Sequence, residues 1–156
     1  MQIRKAEMED MPLAGHIMSV SFQTAFADFV SPVTLETCAR EDACIALLEG
    51  VFREGKMHFL IGESSGMLCW WESGETAEIA AIHTLPESWG TGLGHALLTE
   101  ALKQIGDRPV FLWAFKENAR ARRFYERMGM TASGRNRTEP IGGEMLPLTE
   151  YIYLLA

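Results

Sequence analysis

The segment Pro86–Leu98, PESWGTGLGHALL, constrains this chain more than any other. A long β-like run, Glu75–Leu85, leads into glycines at 90, 92 and 94. Apolar residues then return at spacings of three and four, Leu93, Leu97, Leu98, Ala101, Leu102 and Ile105, which predicts a helix over Leu93–Ile105. A strand that feeds a glycine loop that opens a helix collects main-chain N–H groups around one point. The first amides of a helix have no intrahelical partner, and the helix dipole adds positive charge there. That combination binds phosphate or pyrophosphate. No Lys follows Gly94, so a Walker A loop is excluded. A dinucleotide fingerprint fails too: counted from Gly90 its last position is His95, and counted from Gly92 it is Leu97.

The rest of the chain reads as one α/β domain over 1–156, with no linker and no internal repeat. Met1–Lys5 is a short strand. Glu9–Phe26 is a helix with Asp10 as N-cap, Pro12 in its first turn and Leu13, Ile17, Val20 and Ala25 as its apolar stripe. After Ser31-Pro32 a second helix is predicted over Thr34–Arg53, burying Leu35, Cys38, Ile45, Leu48 and Phe52. Met57–Gly62 and Met67–Trp71 form a hairpin across Glu63–Gly66. In Glu75–Leu85 the alternation slips between Ile79 and Ile82, as a one-residue bulge would produce; plain irregularity is the other reading. Gly106 ends the glycine-loop helix, Pro109–Phe115 is a buried strand, and Asn118 caps a helix over Ala119–Met128 that Gly129 closes. Met130–Arg137 and Thr149–Leu155 are a last strand pair joined through Glu139–Gly143. The order is βααβββαβαββ.

Composition narrows the function classes. Twenty-one acidic residues against fourteen basic ones give a net charge of −7, the wrong sign for a general polyanion binder, although a local basic patch is compatible with it. Cys38, Cys44 and Cys69 form no C-x-x-C and are read as free thiols of a reducing compartment. The four histidines show no metal spacing, so no metal is expected. The N-terminus lacks the apolar core of a signal peptide, and no run approaches the ~20 apolar residues of a membrane span. The expected setting is cytoplasmic, without membrane or nucleic-acid partners.

The loop Trp89-Gly90-Thr91-Gly92-Leu93-Gly94 resembles the coenzyme-A-binding motif of the GNAT acetyltransferase superfamily, [Q/R]-x-x-G-x-[G/A], with Trp89 where the family prefers Gln or Arg. A second block, Asn118–Met130, resembles the family's N…A…FYE segment through Asn118, Ala121, Phe124, Tyr125, Glu126 and Gly129. The element order is also similar, so the resemblance spans nearly the whole chain. It implies a GNAT fold: a mixed central sheet of about seven strands with four helices, splayed between the fourth and fifth strands. It implies acetyl-CoA as co-substrate and acetyl transfer to a primary amine in a ternary complex.

The resemblance also assigns roles. Ile82 and Thr84 would pair with the pantetheine arm, with a main-chain N–H near Ile82 serving the oxyanion. Trp89, Gly90, Thr91, Gly92, Leu93, Gly94 and His95 would hold the pyrophosphate, with Asn118, Arg120 and Arg123 nearby. Tyr125 would be the general acid and also touch the cofactor. Glu78 would be the general base, with His83 as its rival. Phe26, Trp70, Glu78, His83 and Tyr151 are the candidate acceptor residues, with Asp28, Trp71, Arg137 and Glu144 as further candidates. Trp70 and Trp71 alternate along a strand, so at most one faces the pocket. A small-molecule amine is the expected acceptor. A protein or peptide N-terminus is the alternative, and a non-catalytic acyl-CoA-binding module is the alternative from another class. A homodimer through the last strands is also expected.

Overall fold

The computed structural model describes residues 1–154. Strand β1 (Ile3–Lys5) leads through a single 3-10 turn into α1 (Met11–Ala25), α2 (Pro32–Cys38) and α3 (Glu41–Glu54). Then come β2 (His58–Gly62), β3 (Gly66–Ser73), β4 (Thr76–Thr84), α4 (Leu93–Ile105), β5 (Val110–Phe115), α5 (Ala119–Arg127) and the hairpin β6 (Thr131–Ile141) and β7 (Glu144–Tyr153). The seven strands form one sheet in the order β1-β2-β3-β4-β5-β7-β6. Only β4 and β5 run parallel. Leu155, the last residue of the final predicted strand, lies outside the described residues.

The two faces of the sheet carry two cores. One packs Leu93, Leu97, Leu98 and Ala101 of α4 and Tyr125 of α5 on Leu68, Ile79, Leu112 and Tyr151. The other packs Met11, Ala14 and Ile17 of α1 and Leu48 of α3 on Phe59, Ile61, Met67 and Cys69. Helix α1 packs against both the sheet and α3, and apart from Met11 and Ile17 its buried positions are small: Ala14, Gly15, Ser19 and Ser21. The predicted stripe was too wide, because Leu13, Val20 and Ala25 remain partly exposed. Gly15 is needed for the close crossing; a Cβ there would stand 2.4 Å from Ile45 Cγ1. Asp10 is not a side-chain cap for α1. Its carboxylate instead accepts the Glu7 N–H (2.7 Å) and both ends of the Arg4 guanidinium.

The predicted helix Thr34–Arg53 is two helices. Arg40 is extended, at φ −61° and ψ 137°, and breaks it. Tertiary contacts explain the break: Ser19 Oγ and Gln23 Nε2 both donate to the Ala39 carbonyl, which a continuous helix would have used internally. Five helices therefore replace the expected four. The last hairpin is longer than predicted. Glu139 and Pro140 lie within β6, and the turn is Gly142-Gly143, both at positive φ.

Two irregularities make the opening that matters. Cys69 pairs with Ala81 and Trp70 with Ile79, which leaves Ala80 as an extra residue on β4. This bulge puts Ile79 and Ile82 on the same side of the sheet and explains the slip in the sequence pattern. Second, β4 and β5 are in register only at Ala77–Val110 and Glu78–Phe111. Beyond Glu78 the strands part.

Candidate active site

A cleft of about 750 Å3 opens where β4 and β5 part. The glycine loop and the N-terminus of α4 form one end. Gly90 and Gly92 have φ of +79° and +90°, and Gly92 is the N-cap of α4, with no side chain capping its first amides. The free N–H groups of Leu93, Gly94 and His95 therefore face the cleft end uncovered. These residues suit a pyrophosphate: they offer unpartnered amides, a helix dipole and no Cβ in the way at Gly90.

Trp89 closes this end. Its Nε1 donates to the Thr84 carbonyl at 3.2 Å, and the Arg120 guanidinium lies on its ring, 3.4 Å from the centroid. Arg120 and Arg127, two turns apart on α5, both line the cleft. Burial and the Arg127 charge lower the Arg120 pKa. Asn118 Oδ1 accepts the Ala121 N–H at 3.2 Å and starts the helix. The same helix delivers Phe124 and Tyr125 to the cleft. Burial pushes the Tyr125 phenol far above its usual pKa, so it carries its proton at any working pH.

The middle of the cleft is β4 itself. Ile82, His83 and Thr84 line it, and β5 leaves that edge of β4 unpaired. His83 Nδ1 and Ser21 Oγ are 3.0 Å apart, and desolvation pulls the imidazole pKa down to about 4, which keeps it neutral. Glu78 stands where the strands separate. Trp71 Nε1 donates to its Oε1 at 3.0 Å, while burial raises its pKa above the ordinary carboxylate value. The far end is walled by Phe22 of α1, Phe26 just past its C-terminus and Phe115 of β5, an edge-to-face cluster, and by Trp113, Arg137 and Glu139.

Most predicted residues thus converge: Phe26, Glu78, Ile82, His83, Thr84, Trp89, Gly90, Gly92, Leu93, Gly94, His95, Asn118, Arg120 and Tyr125. Others do not line the cleft. Trp70 is 2% exposed in the α4-side core and stacks on His58, because the bulge sets it opposite Ile79 and leaves Trp71 beside Glu78. Tyr151 is fully buried beneath α5, accepting from Arg122 Nε (3.0 Å) and donating to Glu126 Oε2 (2.7 Å). Thr91 turns its hydroxyl to the Ser88 carbonyl, and Arg123 is on the exposed side of α5. Asp28 is exposed, and Glu144 is tied to Ser31 by its N–H and hydroxyl. Arg127, Trp113 and Phe115 were missed, though signals existed: Arg127 lies seven residues after Arg120, and Phe111, Trp113 and Phe115 alternate on one strand face.

Comparison with known proteins supplies the decisive observation: residues 6–130 match the model of the Acetyltransferase (GNAT) family. The chain belongs to the GNAT acetyltransferase family. Its co-substrate is accordingly acetyl-CoA. A curated relative, the 5-NmdU N-acetyltransferase of Pseudomonas phage PaMx11, is 33% identical over 104 residues, 64% of this chain and 71% of the relative. Among solved structures, the PaiA N-acetyltransferase of Thermoplasma acidophilum, in complex with coenzyme A, superposes with a TM-score of 0.76. The two are 23% identical over 97% of this chain and 98% of that one. A GCN5-related N-acetyltransferase from Rhodopseudomonas palustris gives 0.76 at 22% identity over 99% and 95% of the two chains. These structures share the fold of this GNAT domain. Among the described residues, no helix is long and apolar enough to cross a membrane.

Proposed function

We propose that this GNAT protein transfers the acetyl group of acetyl-CoA to a primary amine of a small molecule, by direct attack in a ternary complex. One observation carries the reading. Glu78 and Tyr125, a desolvated carboxylate and a protonated phenol, line the same cleft as the uncovered α4 amides.

Acetyl-CoA supplies an activated thioester; the chain must position it, free the amine and stabilise developing charge. The α4 amides, with Arg120 and Arg127, take the phosphates. The free edge of β4 between Ile79 and Thr84 holds the extended arm and offers N–H groups to the oxyanion. Glu78 draws in the ammonium form of the acceptor and accepts its proton, its Oε1 held by Trp71. His83 is the weaker base. It is neutral, so it does not attract the ammonium, and Ser21 engages its Nδ1. Tyr125 gives its proton to the departing sulfur. Closeness of the two substrates in one cleft supplies the entropic part of the rate.

The phage relative, named for a modified nucleotide base, favours an amine carried on such a base over a polyamine or a peptide. Nothing in the cleft favours an extended peptide. The test is titration with acetyl-CoA followed by an amine panel with thiol-release detection. Selective binding and turnover with at least one small amine is the expected result. Binding without turnover on any amine would leave a non-catalytic acyl-CoA module.

A further inference from the structure

The acceptor end carries an arrangement that the transfer chemistry does not use. Arg137 lays its guanidinium on the Trp113 ring, 4.3 Å from the centroid, and its Nη2 donates to Glu139 Oε1 at 2.7 Å. Trp113, Glu150 and Arg137 share one face of the sheet with Glu78, since Glu78 pairs with Phe111, Trp113 with Glu150, and Leu148 with Arg137. Trp113 and Arg137 line the catalytic cleft and also a second cavity of about 380 Å3 beyond it. Arg137 thus borders both spaces, with an indole on one side of its guanidinium and a carboxylate at one nitrogen.

We propose that Arg137, seated on Trp113 and held by Glu139, is the acceptor-recognition platform: it stacks under a neutral, planar, carbonyl-bearing ring of pyrimidine type whose aminomethyl arm reaches Glu78. This rests on the acetyltransferase reading above. The free face of a guanidinium backed by an aromatic ring is a stacking surface for another flat ring, and its remaining N–H groups donate to ring carbonyls in the same plane. Charge selects the class further. Glu78, Glu139 and Glu150 face Arg135 and Arg137 along this face, so the surface carries one more carboxylate than guanidinium. A cationic amine is welcome there. A polyamine would leave the stacked guanidinium facing a second cation. The second cavity leaves room for whatever substituent the ring carries on its far side.

The experiment measures kcat/KM for 5-aminomethyl-2′-deoxyuridine, benzylamine and 1,4-diaminobutane, with wild type, Arg137→Lys and Trp113→Leu. The same nucleoside placed in a single-stranded oligonucleotide forms a fourth arm. The pyrimidine amine, free or in the oligonucleotide, should exceed both simple amines by about tenfold or more, and which of its forms is used identifies the source. Arg137→Lys keeps the charge but loses the plane and the fork. It should reduce the pyrimidine amine's advantage by about tenfold, chiefly in KM, and cost the diamine less. Acetyl-CoA affinity by calorimetry should be retained, which separates this from misfolding. Transfer to simple amines with no ring preference, or equal losses on all acceptors, would overturn the platform and leave the acetyltransferase standing. No transfer to any amine, with acetyl-CoA bound, would overturn both.

Discussion

The two ends of the cleft are built on different principles. At the cofactor end the working groups belong mostly to the main chain: the α4 amides, the loop glycines and the unpaired edge of β4. At the acceptor end they are side chains from separate segments: Phe22 from α1 and Phe26 just past it, Trp113 and Phe115 from β5, Arg137 from β6 and Leu148 from β7. A main-chain site needs only a local conformation, which glycine spacing dictates. A side-chain site needs distant segments brought together. The first end therefore suits a ligand common to a family, and the second varies freely with the acceptor.

The largest expected effect breaks the cofactor end. Gly92→Asp places a carboxylate at the N-cap of α4, at a φ of +90°, where it competes with phosphate for the same amides. Losing about two charge-assisted hydrogen bonds predicts a Kd for acetyl-CoA weakened about hundredfold, read by calorimetry. Tyr125→Phe tests the chemistry between the two ends: kcat should fall about hundredfold with acetyl-CoA affinity kept. An equal fall in affinity would make Tyr125 a packing residue.

Glu78→Gln keeps the Trp71 hydrogen bond and removes the base. Turnover should fall about tenfold to hundredfold, and the acidic limb of the kcat/KM profile, placed above the ordinary carboxylate value by burial, should disappear. The sign for stability is opposite. A carboxyl whose pKa is raised by folding stabilises below its unfolded pKa, and that stabilisation is lost as pH rises through the folded value. At neutral pH the Gln variant should melt no lower than wild type. A lower melting temperature would show that Glu78 is needed for packing.

Arg120→Ala removes the cation–π contact on Trp89 while leaving the amides intact. It should weaken acetyl-CoA by about fivefold, far less than Gly92→Asp; an equal loss would shift the weight of this end from main chain to side chains. The smallest effect lies outside the cleft. Arg4 lowers the Asp10 pKa to about 2, so this carboxylate stabilises the fold above its ordinary pKa, about 3.8, and loses that contribution as pH falls toward 2. Asp10→Asn should cost about 1 kcal/mol or less at pH 7, with the gap to wild type closing in acid. Its acetyl-CoA affinity should be unchanged.

Legibility in the sequence follows the same division. Glycines 90, 92 and 94, the Asn118 cap and the slip between Ile79 and Ile82 were readable, because each acts through its immediate neighbours, whereas Tyr125 was legible only through the family resemblance of its segment. Trp70 and Tyr151 misled for one reason: large aromatics in strands suit a binding wall or a core equally well, and only the sheet register, Trp70 opposite Ile79 and Tyr151 opposite Leu112, decides which face each takes. The break at Arg40 was hidden because its cause is Ser19 and Gln23, some twenty residues away.

The sequence alone determined a strand, a glycine loop and a helix with a phosphate-binding end, since spacing and φ requirements are local. The tertiary structure alone decided that Trp71 rather than Trp70 meets Glu78, that Arg120 rather than Arg123 reaches the cleft by lying on Trp89, and that Arg137 stacks on Trp113. Those are contacts between segments far apart in the chain, fixed by sheet register and packing, and no local pattern encodes them.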